Sequence, residues 1–177
     1  MIELRNVTKK FGSFTAVDNI TLSVPKGEFF GFLGPNGAGK TTTIKMMAGL
    51  FAPTSGQILI DGYDVVKNPV QAKTVISYVP DQPFLYDKLT GREFLYFIGG
   101  LYKMEKKALA EKIEGLIEHF EIGEWIDKRT EDYSQGMRQR ITISAALVHD
   151  PKVFIIDEPI IGLDPRSAKI VRETLRR

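Results

Sequence analysis

The order of apolar and polar residues predicts strands toward both ends of this chain and helices in its middle. Residues 2–7 and 20–24 alternate between apolar and polar side chains, which is typical of half-buried β-strands. Two short continuous apolar runs, at 29–33 and 153–156, predict strands that are buried on both faces. From about residue 85 to residue 147 the apolar spacing is helical. The pattern therefore predicts an α/β core that carries a helical insertion.

Turn residues divide the first eighty positions into short elements. Residues 52–56 predict a linker. The pair Asp61-Gly62 lies between two strand-like segments and predicts a hairpin with a type I′ turn. The apolar run 74–79 predicts a buried strand that Pro80 ends. We expect this part of the chain to mix antiparallel strands with a unit of strand, loop and helix.

Capping residues mark the starts of the predicted helices. Thr90 and Glu93 form a capping-box pattern ahead of an apolar helix that runs to about Lys103. A third helix is predicted from near Ser134 to the Asp-Pro pair at 150–151. The second helix, between these two, is predicted to be amphipathic, and its apolar positions are Leu109, Ile113, Leu116, Ile117 and Phe120.

Composition narrows the class of protein only a little. With 177 residues the chain is the size of one domain, and its net charge of +2 is too small to indicate binding to nucleic acid or to an anionic membrane. The absence of cysteine excludes disulfides and thiolate metal sites. No apolar stretch reaches the roughly 18 residues of a membrane-spanning helix, and no signal peptide is evident. We expect a cytoplasmic protein that reaches a membrane only through partners.

The strongest chemical signal is a glycine-rich loop between the strand at 29–33 and a helix that Gly49 closes. It fills every fixed position of G-x-x-x-x-G-K-[ST], the phosphate-binding loop. Glycines let successive backbone N–H groups point at one anion, and the helix N-terminus adds its positive dipole end. Lys40 can reach the outer phosphates, and the Thr41 hydroxyl can ligate magnesium. The predicted phosphate-binding residues are Gly34, Pro35, Asn36, Gly37, Ala38, Gly39, Lys40, Thr41 and Thr42.

Two carboxylates follow the apolar strand at 153–156. The end of that strand would aim Asp157 at the hydrated magnesium ion opposite the phosphate loop. Glu158 could orient or deprotonate an attacking water, a role that accelerates such reactions about 10²–10⁴-fold. A buried strand that ends in an acidic turn is common, so the pair gains its meaning from the intact loop. Asp164-Pro165 then predicts the start of a last helix.

The segment 133–140 resembles the L-S-G-G-Q-x-Q-R signature of ATP-binding cassette (ABC) ATPases. Gln135 replaces the first of the two glycines, and Met137 replaces the Gln that follows the second glycine. A helix that begins after Ser134 would place its N-terminus there as a second anion site, which suits a segment that contacts nucleotide phosphates. Together with the phosphate loop and the Asp157-Glu158 pair, this segment extends the resemblance to the whole chain. The positions kept from the signature are Ser134, Gly136, Arg138, Gln139 and Arg140.

The resemblance assigns further residues to the site. Phe11 falls where the family places an aromatic ring that stacks on adenine, with a packed core Phe as the alternative. Asp81 falls at the family's magnesium-sensing glutamine, and Gln82 is one residue later, so both are candidate metal ligands. An acidic residue there is similar to the branch that serves drug, lipid or polysaccharide exporters. Residues 162–164 match the D-loop, which faces the partner subunit, and Ile160 stands where Thr is usual.

The fold implied by the resemblance is a P-loop NTPase core with an N-terminal antiparallel β subdomain and an inserted α-helical subdomain. Residues 1–84 would form the β part and the first part of the core, residues 85–147 the helical subdomain with the signature, and residues 148–177 the rest of the core. The family's switch histidine follows the pair of carboxylates that corresponds to Asp157-Glu158, whereas His119 and His149 precede this pair. We therefore expect the last core strands to be missing from this chain.

The leading function implied by the resemblance is the ATPase subunit of an ABC transporter, with ATP and Mg²⁺ as cofactors. Two subunits would sandwich two ATP molecules, and each phosphate loop would face Ser134 and Gly136 of the other subunit. Lys40 and Glu158 would be the catalytic residues. Integral membrane subunits would hold the protein on the inner face of the cell membrane, and no direct contact with nucleic acid is expected. The apolar residues 94–102 would either contact those subunits or form a core helix.

Two other functions remain open from the sequence. One is a soluble ABC ATPase that acts on nucleic acid or ribosomes, although such proteins usually carry two cassettes or a long coiled coil. The other is a fragment that binds nucleotide without turning it over, which the missing switch histidine favours for this chain.

Overall fold

The computed structural model describes residues 1–82 and 84–157, together with Lys169, Ile170 and Glu173. Two compact units divide the chain. The first contains Met1–Tyr78 and Pro151–Asp157, and the second contains Val79–Asp150. None of the helices in the described part of the chain has both the length and the apolar character that a membrane span requires.

The first unit is built on a four-stranded antiparallel sheet. Its strands are β1 (Ile2–Phe11), β2 (Phe14–Val24), β3 (Ser55–Ile60) and β4 (Tyr63–Asp64), in the order β2-β1-β3-β4. The alternation predicted for residues 2–7 and 20–24 is therefore confirmed, because apolar side chains on one face of these strands enter the core. Among the core residues from the sheet are Leu4, Val7, Val17, Ile58 and Ile60.

The hairpin between β3 and β4 has the predicted turn. Asp61 and Gly62 both have positive φ, 48° and 87°, which a type I′ turn requires at its two central positions. The linker predicted at residues 52–56 is shorter than expected, because Ser55 and Gly56 already belong to β3. Lys152 fastens the turn to the start of a later strand, since its ammonium group lies 2.8 Å from the Asp61 carboxylate.

Two helices and a second, two-stranded sheet complete this unit. They are α1 (Lys40–Met47), α2 (Pro69–Val75), β5 (Ile76–Val79) and β6 (Val153–Ile156), and β5 pairs with β6. Helix α1 ends at Met47, and Gly49 closes it in the predicted left-handed conformation with φ 69°. The strand predicted at residues 74–79 is correct only from Ile76 onward, because Thr74 and Val75 close a helix that the apolar pattern did not indicate.

The buried strand predicted at residues 29–33 is not formed. Phe29 is 81% exposed and Leu33 is 94% exposed. A strand is stable only when a neighbour accepts and donates its ladder of backbone hydrogen bonds. Among the described residues, the sheets contain β1 to β6 alone, and none of these strands pairs with this segment. The run is therefore a largely exposed apolar segment that leads into the glycine-rich loop, and Phe32 packs against the core.

Within Val79–Asp150, the second unit contains three helices that pack around an aliphatic core. They are α3 (Gly91–Leu101), α4 (Lys106–His119) and α5 (Gln135–Leu147), with a single 3₁₀ turn at Thr130–Asp132. The predicted capping box is present with both of its hydrogen bonds. The Thr90 hydroxyl oxygen accepts the N–H of Glu93, and the Glu93 carboxylate accepts the N–H of Thr90. The amphipathic face predicted for α4 is confirmed by the buried residues Leu109, Ile113, Leu116 and Ile117.

Helix α3 has one buried and one exposed face, so the apolar residues 94–102 are only partly a core helix, and their contact with membrane subunits stays a prediction. Phe94 and Leu95 are buried, whereas Tyr96 and Phe97 are exposed. Gly99 allows the close approach of α4, because a Cβ at this position would lie 2.3 Å from a methyl group of Leu109. One face of α3 is thus core, and the other presents aromatic rings at the surface.

Candidate functional site

The glycine-rich loop curls back on itself before α1 begins. Gly37 and Gly39 have φ values of 82° and 80°, in the left-handed region where glycine is favoured. Within the loop, the N–H of Ala38 donates to the carbonyl of Pro35 at 3.3 Å. No side chain caps α1, so its first N–H groups are left for another acceptor. This backbone can hold an anion at the start of a helix.

Gly39 has a second reason to be glycine. A Cβ at this position would lie 2.4 Å from the carbonyl oxygen of Ala16 and 3.1 Å from a methyl group of Val17, both on β2. The left-handed backbone and the missing side chain together let the loop rest against the sheet. The N-terminus of α1 is thereby fixed in position relative to β2.

Lys40, the first residue of α1, turns its side chain over the loop. Its ammonium group donates to the carbonyl oxygens of Gly34 at 2.7 Å and of Pro35 at 2.8 Å. A bound phosphate would offer the same ammonium group stronger, charged acceptors. Its role in holding the outer phosphates stays a prediction.

The three threonines after Lys40 differ in their surroundings. Thr41 is exposed, and Thr42 is partly exposed. Thr43 is fully buried, and its hydroxyl donates to the carbonyl of Gly39 at 2.9 Å, so it stabilises the first turn of α1. Only the first two hydroxyls are accessible to a nucleotide or its metal ion.

Asp157 lies at the end of β6, in the same unit as the loop. Its side chain is buried. A buried carboxylate at a strand end suits a hard cation such as Mg²⁺. Glu158, the predicted catalytic residue, Ile160 and residues 162–164 of the predicted D-loop lie outside the described residues.

Phe11 is not a core residue, so the alternative interpretation of this side chain is wrong. It is 46% exposed and forms an edge-to-face pair with Phe51 at 5.7 Å. The ammonium group of Lys9 lies 5.0 Å from the centre of the Phe11 ring. The ring has little core to fill, because it lies at the tip of the β1–β2 hairpin. Its exposed face remains free for stacking, and the adenine role remains a prediction.

The two candidate magnesium sensors lie in the second unit, and both are exposed. The carboxylate of Asp81 accepts the N–H of Gln82 at 2.8 Å. This bond orients Asp81 toward its own backbone and leaves the Gln82 amide exposed. Which of the two contacts the metal stays a prediction.

The signature segment forms the predicted helix start. Ser134 is the N-cap of α5, and its hydroxyl oxygen accepts the N–H of Met137 at 3.3 Å. Gln135 is exposed and Gly136 is partly exposed. The side chain of Arg138 returns along the segment, and its Nε donates to the carbonyl of Tyr133 at 3.3 Å. The helix N-terminus is thus built and accessible, as an anion site requires.

Two residues beside the signature were missed by the sequence interpretation. Thr130 is fully buried and donates its hydroxyl to the carbonyl of Tyr86 at 2.9 Å. Tyr133 is buried, and its hydroxyl accepts the N–H of Gly91 at 3.1 Å. No local signal in the sequence marks either contact, because the partners lie more than forty positions away.

The two histidines have surroundings typical of packing residues. His149 stacks on Tyr102 with ring centres 3.6 Å apart, and His119 packs edge-on against Phe120 at 4.9 Å. Neither lies in the unit that carries the phosphate loop.

Comparison with known proteins identifies the family. The family model described as "ABC transporter" matches residues 17–161, and so the chain belongs to the ABC transporter family of ATP-binding domains. It is 40% identical over 177 residues to "Linearmycin resistance ATP-binding protein LnrL" of Bacillus subtilis (strain 168). That match covers 100% of this chain and 57% of the relative, so the chain spans little more than half of that protein's length.

Solved structures agree on the fold, an α/β P-loop NTPase core with a β subdomain and a helical subdomain. A structure described as "Structure of ATP binding subunit of ABC transporter" superposes with a TM-score of 0.93 at 30% identity, covering 99% of this chain and 73% of the other. The structure described as "Dimeric structure of a post-hydrolysis state of the ATP-binding cassette MJ0796 bound to ADP and Pi" superposes with a TM-score of 0.86 at 26% identity. That match covers 99% of this chain and 81% of the other.

Proposed function

We propose that this chain is the ATP-binding and ATP-hydrolysing part of an ABC transporter ATPase. The observation that carries the proposal is the loop from Gly34 to Thr41, in which left-handed glycines, an uncapped helix start and the Lys40 ammonium group converge. Such a loop binds the β- and γ-phosphates of a nucleotide through backbone N–H groups and the lysine. Within this domain, residues 1–84, 85–147 and 148–177 remain our proposed subdivisions.

Mg²⁺ is the metal ion that the donor set fits. Among the described residues, no three His, Cys, Asp or Glu side chains gather closely enough to hold a metal by themselves. Magnesium in such enzymes takes one or two protein oxygens and completes its shell with water and substrate phosphates. The exposed Thr41 hydroxyl and the Asp157 carboxylate would supply those oxygens, with Asp81 or Gln82 as a further ligand. The ion would neutralise charge on the phosphates.

Hydrolysis requires a group that handles the attacking water. We assign this role to Glu158, because it follows the buried Asp157 directly and its carboxylate is suited to general-base chemistry. Lys40 would stabilise the negative charge of the transferred phosphoryl group. Phe11 would hold the adenine by stacking.

A second ABC ATPase subunit is the proposed partner at the signature. Ser134 and Gly136 would contact the nucleotide held by the loop of that subunit, because the N-terminus of α5 is an exposed anion site. A dimeric arrangement supports this assignment, since the related cassette MJ0796 is described as dimeric with ADP and Pi bound.

An aromatic surface on the second unit is the proposed contact with integral membrane subunits. We define it by Phe84, Tyr86, Tyr96 and Phe97. Tyr86 joins the first and last of these rings, at 5.7 Å to Phe84 and 5.2 Å to Phe97, and Phe84 is 78% exposed. Exposed aromatic clusters are enriched in protein interfaces. Through this surface the protein would lie on the inner face of the cell membrane.

Nucleotide binding and hydrolysis by the purified full-length protein test the proposal. We expect ATP to bind with micromolar affinity, and we expect release of phosphate only when Mg²⁺ is present. Failure of ATP to bind to the folded protein would overturn the proposal. The membrane contact has its own test, because Phe84→Ser should release the protein from membranes that carry its partner subunits. Phe14→Ser is the matched control, since Phe14 is also exposed but lies on β2.

A further inference from the structure

Tyr133 places a buried hydroxyl at the residue before the signature serine. Its side chain is only 5% exposed, and its ring packs edge-on against Trp125 with centres 4.8 Å apart. The hydroxyl accepts the N–H of Gly91 at 3.1 Å. It also lies 3.1 Å from the carbonyl of Trp125 and 3.2 Å from that of Ile126, and one of these accepts its proton. Burial raises the pKa of Tyr133 to about 12, so the hydroxyl keeps this proton at neutral pH.

This hydroxyl therefore joins three pieces of the second unit. Gly91 is the first residue of α3, whose N-terminal N–H groups have no partner within the helix. The carbonyls of Trp125 and Ile126 belong to the connection between α4 and the 3₁₀ turn at Thr130–Asp132. The fit is tight, because a Cβ on Gly91 would lie 2.4 Å from the Tyr133 hydroxyl oxygen. The signature of the family begins with Leu, and a leucine side chain could form none of these hydrogen bonds.

Hydrogen bonds also hold the backbone of Tyr133. The Nε of Arg138 donates to the Tyr133 carbonyl at 3.3 Å, and the Tyr133 N–H donates to the carbonyl of Thr130 at 3.2 Å. Thr130 is itself tied to the segment before α3, since its N–H donates to the carbonyl of Leu89 at 2.9 Å. Ser134 follows directly and begins α5, so its position depends on the residue held in this way.

We propose that Tyr133 is a positioning residue for the signature, and that its hydroxyl fixes Ser134 where it can contact the nucleotide of a second subunit. The inference rests on the proposed function, because it assumes that the signature acts on a second subunit. Because its side chain is buried, Tyr133 would not contact the nucleotide itself. Its effect is therefore on assembly of the two subunits around ATP, while nucleotide binding to the loop of the same chain is unaffected.

The test uses the full-length protein and a non-hydrolysable ATP analogue. Dimer formation is followed by analytical ultracentrifugation over a range of protein concentrations. Tyr133→Phe removes the hydroxyl and keeps the ring, and it should raise the protein concentration for half-maximal dimerisation about tenfold, as expected for the loss of a buried hydrogen bond. The affinity of the monomer for the analogue, measured at low protein concentration, should stay within about twofold.

Two further variants separate positioning from general loss of stability. Tyr63→Phe removes a tyrosine hydroxyl at the surface of the first unit and should leave dimerisation unchanged. Gly91→Ala displaces the Tyr133 hydroxyl without removing it and should weaken dimerisation in the same direction. The double variant Tyr133→Phe/Gly91→Ala should be little worse than either single variant, because both act on one interaction.

The outcomes distinguish this inference from the proposed function. If the unmodified protein fails to bind the analogue, the proposed function is wrong. If the unmodified protein binds and dimerises but Tyr133→Phe does so at the same concentrations, only the positioning role is wrong. A lower melting temperature with unchanged dimerisation would also overturn it, since that result indicates a purely structural residue.

Discussion

The ammonium group of Lys40 lies 2.7 Å from the carbonyl oxygen of Gly34, so the loop's lysine bonds to the loop's own first residue. This contact and the matching one to Pro35 hold the long side chain over the curled backbone. Less rotamer freedom is then lost when a phosphate replaces the carbonyl oxygens as acceptor. If Lys40 binds phosphate as proposed, its side chain is held near that position before the ligand arrives.

Removal of the Lys40 ammonium group should weaken ATP binding strongly. Charge-assisted hydrogen bonds contribute about 1.5–3 kcal/mol, so Lys40→Ala should lower ATP affinity by about one to two orders of magnitude. Lys107→Ala, which removes an exposed lysine from α4, is the control and should bind ATP normally. Titration with a fluorescent ATP analogue measures both. Equal affinities in the two variants would remove Lys40 from the site.

The two left-handed glycines of the loop should differ in their tolerance of alanine. Both have φ near 80°, which costs a residue with a Cβ about 1–2 kcal/mol. A Cβ on Gly37 meets nothing within 4 Å, whereas one on Gly39 meets the Ala16 carbonyl oxygen at 2.4 Å. We expect Gly39→Ala to lose clearly more stability than Gly37→Ala in urea unfolding. Equal losses would show that the contact with β2 relaxes without cost.

Phe11 and Phe14 form a matched pair for the adenine assignment. They face each other across the β1–β2 register, and both rings are exposed. Stacking of a base on an aromatic side chain is worth about 1–3 kcal/mol, so Phe11→Ala should weaken ATP binding about 5- to 150-fold. Phe14→Ala should leave the affinity unchanged. Comparable losses for ATP and for inorganic triphosphate in Phe11→Ala would exclude a role in contacting the base.

Local signals in the sequence predicted the elements whose partners are close in the chain. The capping box at Thr90, the hairpin turn at Asp61 and the helix end at Gly49 each depend on residues within a few positions. Most of the phosphate loop belongs to the same class, because its curl comes from its own glycines, although Gly39 also rests against β2. These features could be predicted since local contacts largely decide them.

Features that depend on distant partners could not be predicted in the same way. The apolar run that contains Phe29 has the composition of a buried strand, but pairing decides whether a strand forms. The hydroxyl of Tyr133 bonds to Gly91, 42 positions earlier, and no local pattern marks that contact. Helix α2 was missed for another reason, because its seven residues are too few to show a helical period.

The carboxylate of Asp64 should make stability depend on pH in the acid range. Burial alone would raise its pKa, but hydrogen bonds from the Gln57 amide at 2.9 Å and from the N–H groups of Lys67 and Val66 outweigh it and hold the pKa below the ordinary value. A depressed pKa contributes stability above the unfolded-state pKa of about 3.9, and this stability is lost as the pH falls through the lower folded-state value.

Asp64→Asn should therefore unfold more easily than the parent at pH 6, and the difference should shrink below about pH 4. Urea unfolding between pH 6 and pH 2.5 measures it. Asp18→Asn, at an exposed residue of β2, is the control and should show no comparable convergence. A stability difference that stays constant from pH 6 to pH 2.5 would mean that the charge of Asp64 does not contribute to the stability of the folded protein.

Glu158 should separate ATP binding from ATP hydrolysis in the full-length protein. Glutamine keeps the size and polarity of the side chain but cannot accept the proton of the attacking water. Glu158→Gln should therefore bind ATP with unchanged affinity and hydrolyse it about 10²–10⁴-fold more slowly. Glu118→Gln alters an exposed glutamate on α4 and should retain full activity. Steady-state phosphate release and analogue binding, measured on the same preparations, give the two quantities. Full turnover by Glu158→Gln would place the general base elsewhere and would leave the metal-ligand role of Asp157 as the only proposed role at the end of β6.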